Sequence, residues 1–259
     1  MTINSANRIA GPRVVVTGAG GPMGRAIIRR LVADGARQLA LTDISGTRLG
    51  ETAALLSEGF PELNIVTLRG DVTVTAEAEA FAAETLKAFG GIDVLVNTVG
   101  GIRSSQLYTP FLEMDEARFR ATLDLNLMGS FHLIRAFAPG MLERGVGRIV
   151  NFASVVFGGE GGQADYAAGK AAIASLTRSL AEEFAPAITV NAVAPGLTRT
   201  SVTQTMPAEN AARLVSRAYN RRMAEPEEIA EAVAYFASEP ARFVTGEIMA
   251  VSGGFHPHL

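Results

Sequence analysis

Two side chains four residues apart could move a proton to and from a bound molecule: Tyr166 and Lys170, in the run Tyr166-Ala167-Ala168-Gly169-Lys170. On a helix this spacing puts both groups on one face. A free phenol titrates at about 10, too high for acid–base work at neutral pH. An ammonium beside it favours the phenolate and is expected to lower that value. The pairing stands out because lysine is scarce: the chain has 21 arginines but only Lys87 and Lys170. Four tyrosines and two lysines in 259 residues would give roughly 0.03 such pairs by chance. An exposed helical pair would carry the same spacing. Twelve residues upstream of Tyr166, Ser154 follows the apolar run 148–152. A hydroxyl at the C-terminal edge of a parallel strand sits where such sheets bind ligands, and it can donate to a carbonyl oxygen. A plain turn serine would look alike.

A second group of residues could cradle a phosphate. The apolar Val14-Val15-Val16 runs into Thr17-Gly18-Ala19-Gly20-Gly21-Pro22-Met23-Gly24, and a helical pattern follows. Glycine permits the tight turn and lets backbone amides approach a pyrophosphate at a helix N-terminus. The spacing departs from strict G-x-G-x-x-G, because Met23 stands at the last glycine position; a purely structural turn has a similar signature. Asp43 ends the second apolar run, 19 residues after Gly24. A carboxylate there can accept hydrogen bonds from ribose hydroxyls and would repel a 2′-phosphate. No basic residue lies between Gly18 and Gly24, and none follows Asp43 until Arg48. Both points favour NAD over NADP. The alternative is an Asp that caps a helix starting near Ser45.

These groups need a scaffold. Short β-rich apolar runs recur at 14–16, 39–41, 65–68, 94–96, 149–152 and 188–190. Their continuity is that of strands buried on both faces of a parallel sheet. Segments 23–34, 75–89, 115–137 and 165–184 have helical spacing. The alternation predicts βαβ units and one doubly wound α/β sheet in a single domain spanning 1–259. The least regular stretch, 195–225, is bounded by Pro195 and Pro226: either a lid over a ligand or an ordinary surface excursion. Composition agrees with a globular chain: 48% hydrophobic, 19% charged, net charge −3. The mild acidity argues against nucleic acid or an anionic membrane as main partner. Zero cysteine excludes disulfides, Cys-ligated metals and a thiol nucleophile. Residues 1–12 lack a signal-peptide pattern, and no run of 18 apolar residues exists, so a soluble cytoplasmic protein is expected. His132 has no acidic partner at metal-ligand spacing and His256 and His258 lie in the last four residues, so no catalytic metal is expected.

From about residue 12 to 254 the chain resembles the short-chain dehydrogenase/reductase family. The motifs run in order: the turn Thr17 to Gly24, Asp71-Val72, Asn97-Thr98-Val99-Gly100, Asn126, Ser154 with Tyr166 and Lys170, Pro195-Gly196 with Thr198 and Thr200, and Gly253-Gly254. The resemblance implies a Rossmann-type sheet of seven parallel strands and a homotetramer formed through the helices carrying Asn126 and Tyr166. It implies that Tyr166 exchanges a proton with the substrate oxygen and that Ser154 hydrogen-bonds that oxygen. Lys170 would bind the nicotinamide ribose, and Asn126 would hold a water linking Lys170 to solvent. Asp71 and Val72 would flank the adenine, Asn97 would support the central strands, and the Pro195-Gly196 backbone with Thr200 would hold the carboxamide. Three positions depart from the family: Pro22 replaces the middle glycine of T-G-x-x-x-G-x-G, Asn97-Thr98-Val99-Gly100 replaces N-N-A-G, and Ser252 replaces an aspartate.

The expected activity is interconversion of a secondary alcohol and a ketone by hydride transfer with NAD(H) as cofactor. The alternatives are an NADP-dependent 3-oxoacyl-thioester reductase and a non-catalytic dinucleotide-binding regulator. Phe157, Gly158 and Gly159 suggest a compact apolar surface beside the reacting centre. Arg199, Arg213, Arg217, Arg221 and Arg222, with Glu209 the one acidic residue among them before Glu225, suggest a small-molecule substrate with an anionic handle. A solvated helix face is the other explanation of that run.

Overall fold

The computed structural model of the protein describes residues 11–102, 106–204 and 206–255; His256 and His258 lie outside them. Seven strands form one sheet: β1 (Arg13–Thr17), β2 (Gln38–Asp43), β3 (Asn64–Arg69), β4 (Val94–Asn97), β5 (Gly147–Phe152), β6 (Ile188–Pro195) and β7 (Ile248–Val251). Their order is β3-β2-β1-β4-β5-β6-β7 and every pairing is parallel. The order reverses between β1 and β4, so the carboxyl ends of these two strands splay apart into a crevice. This is the doubly wound α/β sheet that the strand–helix alternation predicts.

The helices cover both faces. On one side α1 (Pro22–Ala33), α2 (Gly46–Gly59) and α8 (Pro226–Ala237) bury Ile27, Ile28, Leu49, Ile229 and Phe236 against Val14, Val16 and Val96. On the other, α3 (Thr75–Phe89) and α4 (Glu116–Arg144) bury Phe81, Leu133, Phe137 and Met141 against Val15, Leu95 and Ile149, with α5 (Ala164–Glu183) beside them. Val14, Val15 and Val16 have no exposed surface, which explains their unbroken apolar run. The edge strands differ from that expectation. In β3, residues Asn64, Thr67 and Arg69 are exposed, because an edge strand is covered on one side only.

Two further features depart from the periodicity. Helix α4 does not stop near 137 but continues through Pro139 to Arg144. The ring costs one hydrogen bond, and burial of Ala138 and Met141 on the sheet keeps the helix going. The 195–225 stretch contains α6 (Ser201–Gln204) and α7 (Ala208–Arg217). Its base is closed by Arg199 N donating to Ala224 O at 2.9 Å and Ala224 N to Leu197 O at 2.9 Å. Among the described residues no helix is long and apolar enough to cross a membrane.

The amino-terminal edge of the sheet carries buried charges that are all paired. Asp93 accepts from the Arg13 backbone at 3.0 Å and from its guanidinium at 2.9 and 2.6 Å. Burial alone would push the Asp93 carboxyl up; the Arg13 hydrogen bonds and charge outweigh it and hold it below its ordinary value. Arg148, almost fully buried on β5, meets Glu239 at 2.8 Å.

Candidate active site

The glycine turn lies at the mouth of the crevice. Gly18 has φ +60°, and a Cβ on Gly24 would lie 2.3 Å from Gly18 O, so helix α1 can start this close to β1 only without a side chain there. Pro22 stands at the first helical position, where its missing N–H costs nothing, and Gly21 precedes it as N-cap. The helix therefore opens into the crevice with the residues Met23 and Gly24. Asp43, at the end of β2, accepts from Gly20 N at 3.0 Å and from Ser45 N at 2.8 Å. It is thus tied to the turn and to the start of α2 at once. Arg48, the first basic residue after Asp43, is brought back by one turn of α2, with its Nη2 3.2 Å from Asp43 Oδ1.

An open cleft runs from this turn past Thr42, Asp43, Asp71 and Val72 to Thr98, Gly100, Leu125 and Thr200. Asp71 accepts from Thr73 N at 2.9 Å and Thr73 Oγ1 at 2.6 Å, shaping the loop after β3. His132 serves that loop: Nδ1 bonds Val72 O at 2.9 Å and Nε2 meets Thr75 Oγ1 at 3.2 Å. Thr42 Oγ1, on the cleft wall, is buried without a hydrogen-bond partner among the described residues. An elongated polar ligand passing the carboxyl ends of β2, β1 and β4 would satisfy such an atom. The glycine cradle, the carboxylate at the end of β2 and this orphaned hydroxyl fit a dinucleotide. Among the described residues no cluster of three His, Asp or Glu could hold a metal.

Deeper in the crevice the structure gathers the residues picked out by chemistry. Ser154 follows β5 and hydrogen-bonds the phenol of Tyr166, in the first turn of α5. Lys170 lies one turn on; its Nζ donates to Phe152 O at 2.7 Å and sits 5.8 Å from the Tyr166 ring centre. Asn126, on α4, donates Nδ2 to Gly101 O and Thr122 O at 2.7 Å each, and its Oδ1 accepts from Gly101 N at 2.9 Å. A Cβ on Gly100 would lie 2.6 Å from both Asn126 Oδ1 and Lys170 Nζ, so the glycine lets the two approach. In this structure the Asn126 amide is spent on fixing that backbone.

Supports from Asn151, Thr177 and Thr17, none of them a candidate site residue in the sequence, hold these groups. Asn97 Nδ2 donates to Asn151 Oδ1 at 3.0 Å, and Asn151 Nδ2 to Thr177 Oγ1 at 3.0 Å, a polar chain from β4 through β5 into α5. Thr17 Oγ1 accepts from Thr98 N at 3.0 Å and Val99 N at 3.3 Å, locking β1 to the loop after β4. After Pro195, Gly196 packs on Ser252, and Thr198 Oγ1 donates to Gly196 O at 3.0 Å. The Asn97–Asn151–Thr177 and Thr17–Thr98 pairings link positions tens of residues apart and leave no local signal.

The electrostatics run opposite to expectation for Tyr166. Burial pushes its phenol above the ordinary value, and the hydrogen bond from Ser154 only partly opposes this. Burial also pulls Lys170 down from 10.5 to about 7. A low-dielectric setting penalises both charged forms, and no carboxylate partners the ammonium. The arginine run is likewise dispersed rather than convergent. Arg199 pairs with Glu225, Arg217 with Glu160 and Arg222 with Glu228, while Arg221 reaches Ser216 O. Arg213 lies 5.3 Å over the Tyr108 ring instead.

With fold and site in hand, comparison with known proteins is direct. A family model described as "Enoyl-(Acyl carrier protein) reductase" matches residues 18–256. The chain belongs to the short-chain dehydrogenase/reductase family of oxidoreductases. It is 36% identical over 248 residues to an acetoacetyl-CoA reductase of Allochromatium vinosum, covering 94% of this chain and 98% of that one. It is 35% identical over 250 residues to the 3-oxoacyl-[acyl-carrier-protein] reductase FabG of Vibrio cholerae, covering 96% and 98%. The structure of levodione reductase superposes with a TM-score of 0.89 at 32% identity, covering 95% and 98%.

Proposed function

We propose that this protein interconverts a secondary alcohol and a ketone with NAD(H), Tyr166 handling the proton. The observation that supports the reading is the convergence of Ser154, the Tyr166 phenol and Lys170, with Lys170 packed against Gly100, which lines the cleft beside the glycine turn. A bound nicotinamide supplies or accepts the hydride. Ser154 holds the substrate oxygen, and Tyr166 gives it a proton in reduction or takes one in oxidation. Burial keeps the phenol protonated, which suits reduction at neutral pH. Lys170 and the residues Asn126 and Gly100 beside it frame the seat of the nicotinamide ribose. Asp43 supports NAD, since its carboxylate would face the ribose hydroxyls and oppose a 2′-phosphate. Gly18, Gly20, Gly21, Met23 and Gly24 would face the pyrophosphate, Asp71 and Val72 the adenine, Asn97 the central strands, and Pro195, Gly196, Thr198 and Thr200 the carboxamide.

A second reading, an NADP-dependent 3-oxoacyl-thioester reductase, is supported by Arg48 lying against Asp43 and by the substrates in the relatives' names. An anionic handle on the substrate would then meet Arg213, whose guanidinium is engaged with an aromatic ring rather than a carboxylate. Absorbance at 340 nm with both cofactors against cyclic ketones, secondary alcohols and 3-oxoacyl thioesters tests the readings. NAD(H)-dependent turnover that falls by about 10³-fold in Tyr166→Phe is expected. Preference for NADPH with the thioester would establish the second reading instead. Nucleotide binding without turnover, and no effect of Tyr166→Phe, would leave only a regulator.

Assembly through α4 and α5 is supported by the exposed Phe131 and Leu142 beside a groove lined by Ile134, Leu176, Leu180 and Phe184. Sedimentation is expected to report a tetramer; a monomer would refute the assembly.

A further inference from the structure

Asp165 directly precedes the proposed proton donor, has no exposed surface and does not line the cleft. Its Oδ1 accepts from Tyr166 N at 2.9 Å; its Oδ2 accepts from Thr122 Oγ1 at 3.0 Å and Arg118 Nε at 3.2 Å. A buried carboxylate is tolerated only when paired and hydrogen-bonded, and Arg118, on the first turn of α4, supplies the charge. The rest of that guanidinium points elsewhere. Nη1 donates to Thr109 Oγ1 at 2.5 Å and Nη2 to Gln106 O at 3.2 Å. The same short segment is sewn to the start of α5: Thr109 N donates to Gly162 O at 2.8 Å, and Gln163 Nε2 to Leu107 O at 3.2 Å. Tyr108, between them, carries Arg213 of α7.

We propose that Arg118 and Asp165 are a positioning pair that makes segment 106–109, α4 and the first turn of α5 one unit, and so sets the Tyr166 phenol. This deepens the proposed alcohol–ketone chemistry and rests on it. A planar guanidinium can hold a carboxylate along one edge while its remaining N–H groups reach a hydroxyl and a carbonyl; an ammonium cannot span all three. Were Asp165 merely a favourable acid in the first helical turn, its loss would reduce stability and leave turnover per folded molecule intact.

The test compares Arg118→Lys, Arg118→Ala and Asp165→Asn in the full chain. Thermal melting, NADH affinity by fluorescence titration, kcat and KM, and amide hydrogen exchange are measured. Arg118→Lys keeps a charge for Asp165 but gives up the contacts to 106–109. It is expected to melt near the parent, bind NADH unchanged and lose about 10- to 100-fold in kcat, the cost of misplacing a reacting group. Arg118→Ala is expected to lose exchange protection at 106–109 and 163–167 together. The proposal is overturned if Arg118→Lys retains kcat within twofold, or if protection in the two segments falls independently. If the parent enzyme turns over no carbonyl or alcohol, the functional reading fails, and the exchange data alone decide the coupling. Joint loss then upholds it and separate loss removes it.

Discussion

The two edges of the one sheet treat buried charge in opposite ways. At the amino-terminal edge, Asp93 is gripped by Arg13 with a second guanidinium, Arg144, 3.8 Å away, and Arg148 has Glu239. At the carboxyl edge, Lys170 is just as deep and has a carbonyl, Phe152 O, but no carboxylate, and Tyr166 is pushed toward its neutral form. The first edge is arranged for stability. The second leaves a buried ammonium without a carboxylate partner and the cleft-wall Thr42 Oγ1 without a hydrogen bond among the described residues, at a cost in stability that the first edge does not bear.

The sharpest way to break this contrast is to remove Lys170. Lys170→Met is expected to abolish measurable turnover and yet raise the melting temperature at pH 6. The sign follows from linkage. The folded-state value, about 7, is below the unfolded 10.5, so the charged amine opposes folding below pH 7. That penalty, about 1.4 kcal/mol per pKa unit, is relieved as pH rises from 7 to 10.5. A variant that melts lower at pH 6 and no differently at pH 10 would contradict the comparison. Asp93→Asn should do the reverse: destabilise by about 3 kcal/mol in denaturant melts, because it strands Arg13, while kcat stays at the parent value. Since the Asp93 carboxyl titrates below its unfolded value, its contribution is present above about pH 4 and lost as pH falls further. Smallest is Asp43→Ala. It should shift the NADH-to-NADPH ratio of kcat/KM toward NADPH by about 10-fold, with Arg48 freed to meet a 2′-phosphate. An unchanged ratio would remove Asp43 as the discriminator.

How much was legible from residues alone follows the same division. Six strands announce themselves because they are short and apolar, and all of them but the edge strand β3 are hidden on both faces. β7 does not: Ile248–Val251 is a partly exposed edge strand of four residues, and only family resemblance supplies a seventh. Helix α8 is absent from the helical segments read above, although Pro226 and the Glu225/Glu228 capping box mark its start. The glycine turn and the Tyr166–Lys170 spacing are local, so periodicity exposes them. Arg48 folding back on Asp43 turns on where α2 begins, and the dispersal of the arginines of 195–225 turns on where Glu160 and Glu228 lie. Arg118 and Asp165 are 47 residues apart and join only because α4 and α5 pack side by side. The sign of the Tyr166 shift was misjudged because a neighbouring cation is visible in sequence and desolvation is not.

The scarcity of lysine has a practical outcome. Lys87 is largely exposed and Lys170 is sequestered, and they are the chain's two side-chain amines. Reductive methylation with isotope-labelled formaldehyde would therefore mark Lys87 rapidly and Lys170 only as the crevice opens, giving two readily separated side-chain labelling rates, one from a surface reporter and one from the shielded amine. The second would act as a built-in gauge of nucleotide occupancy, read without any substrate at all.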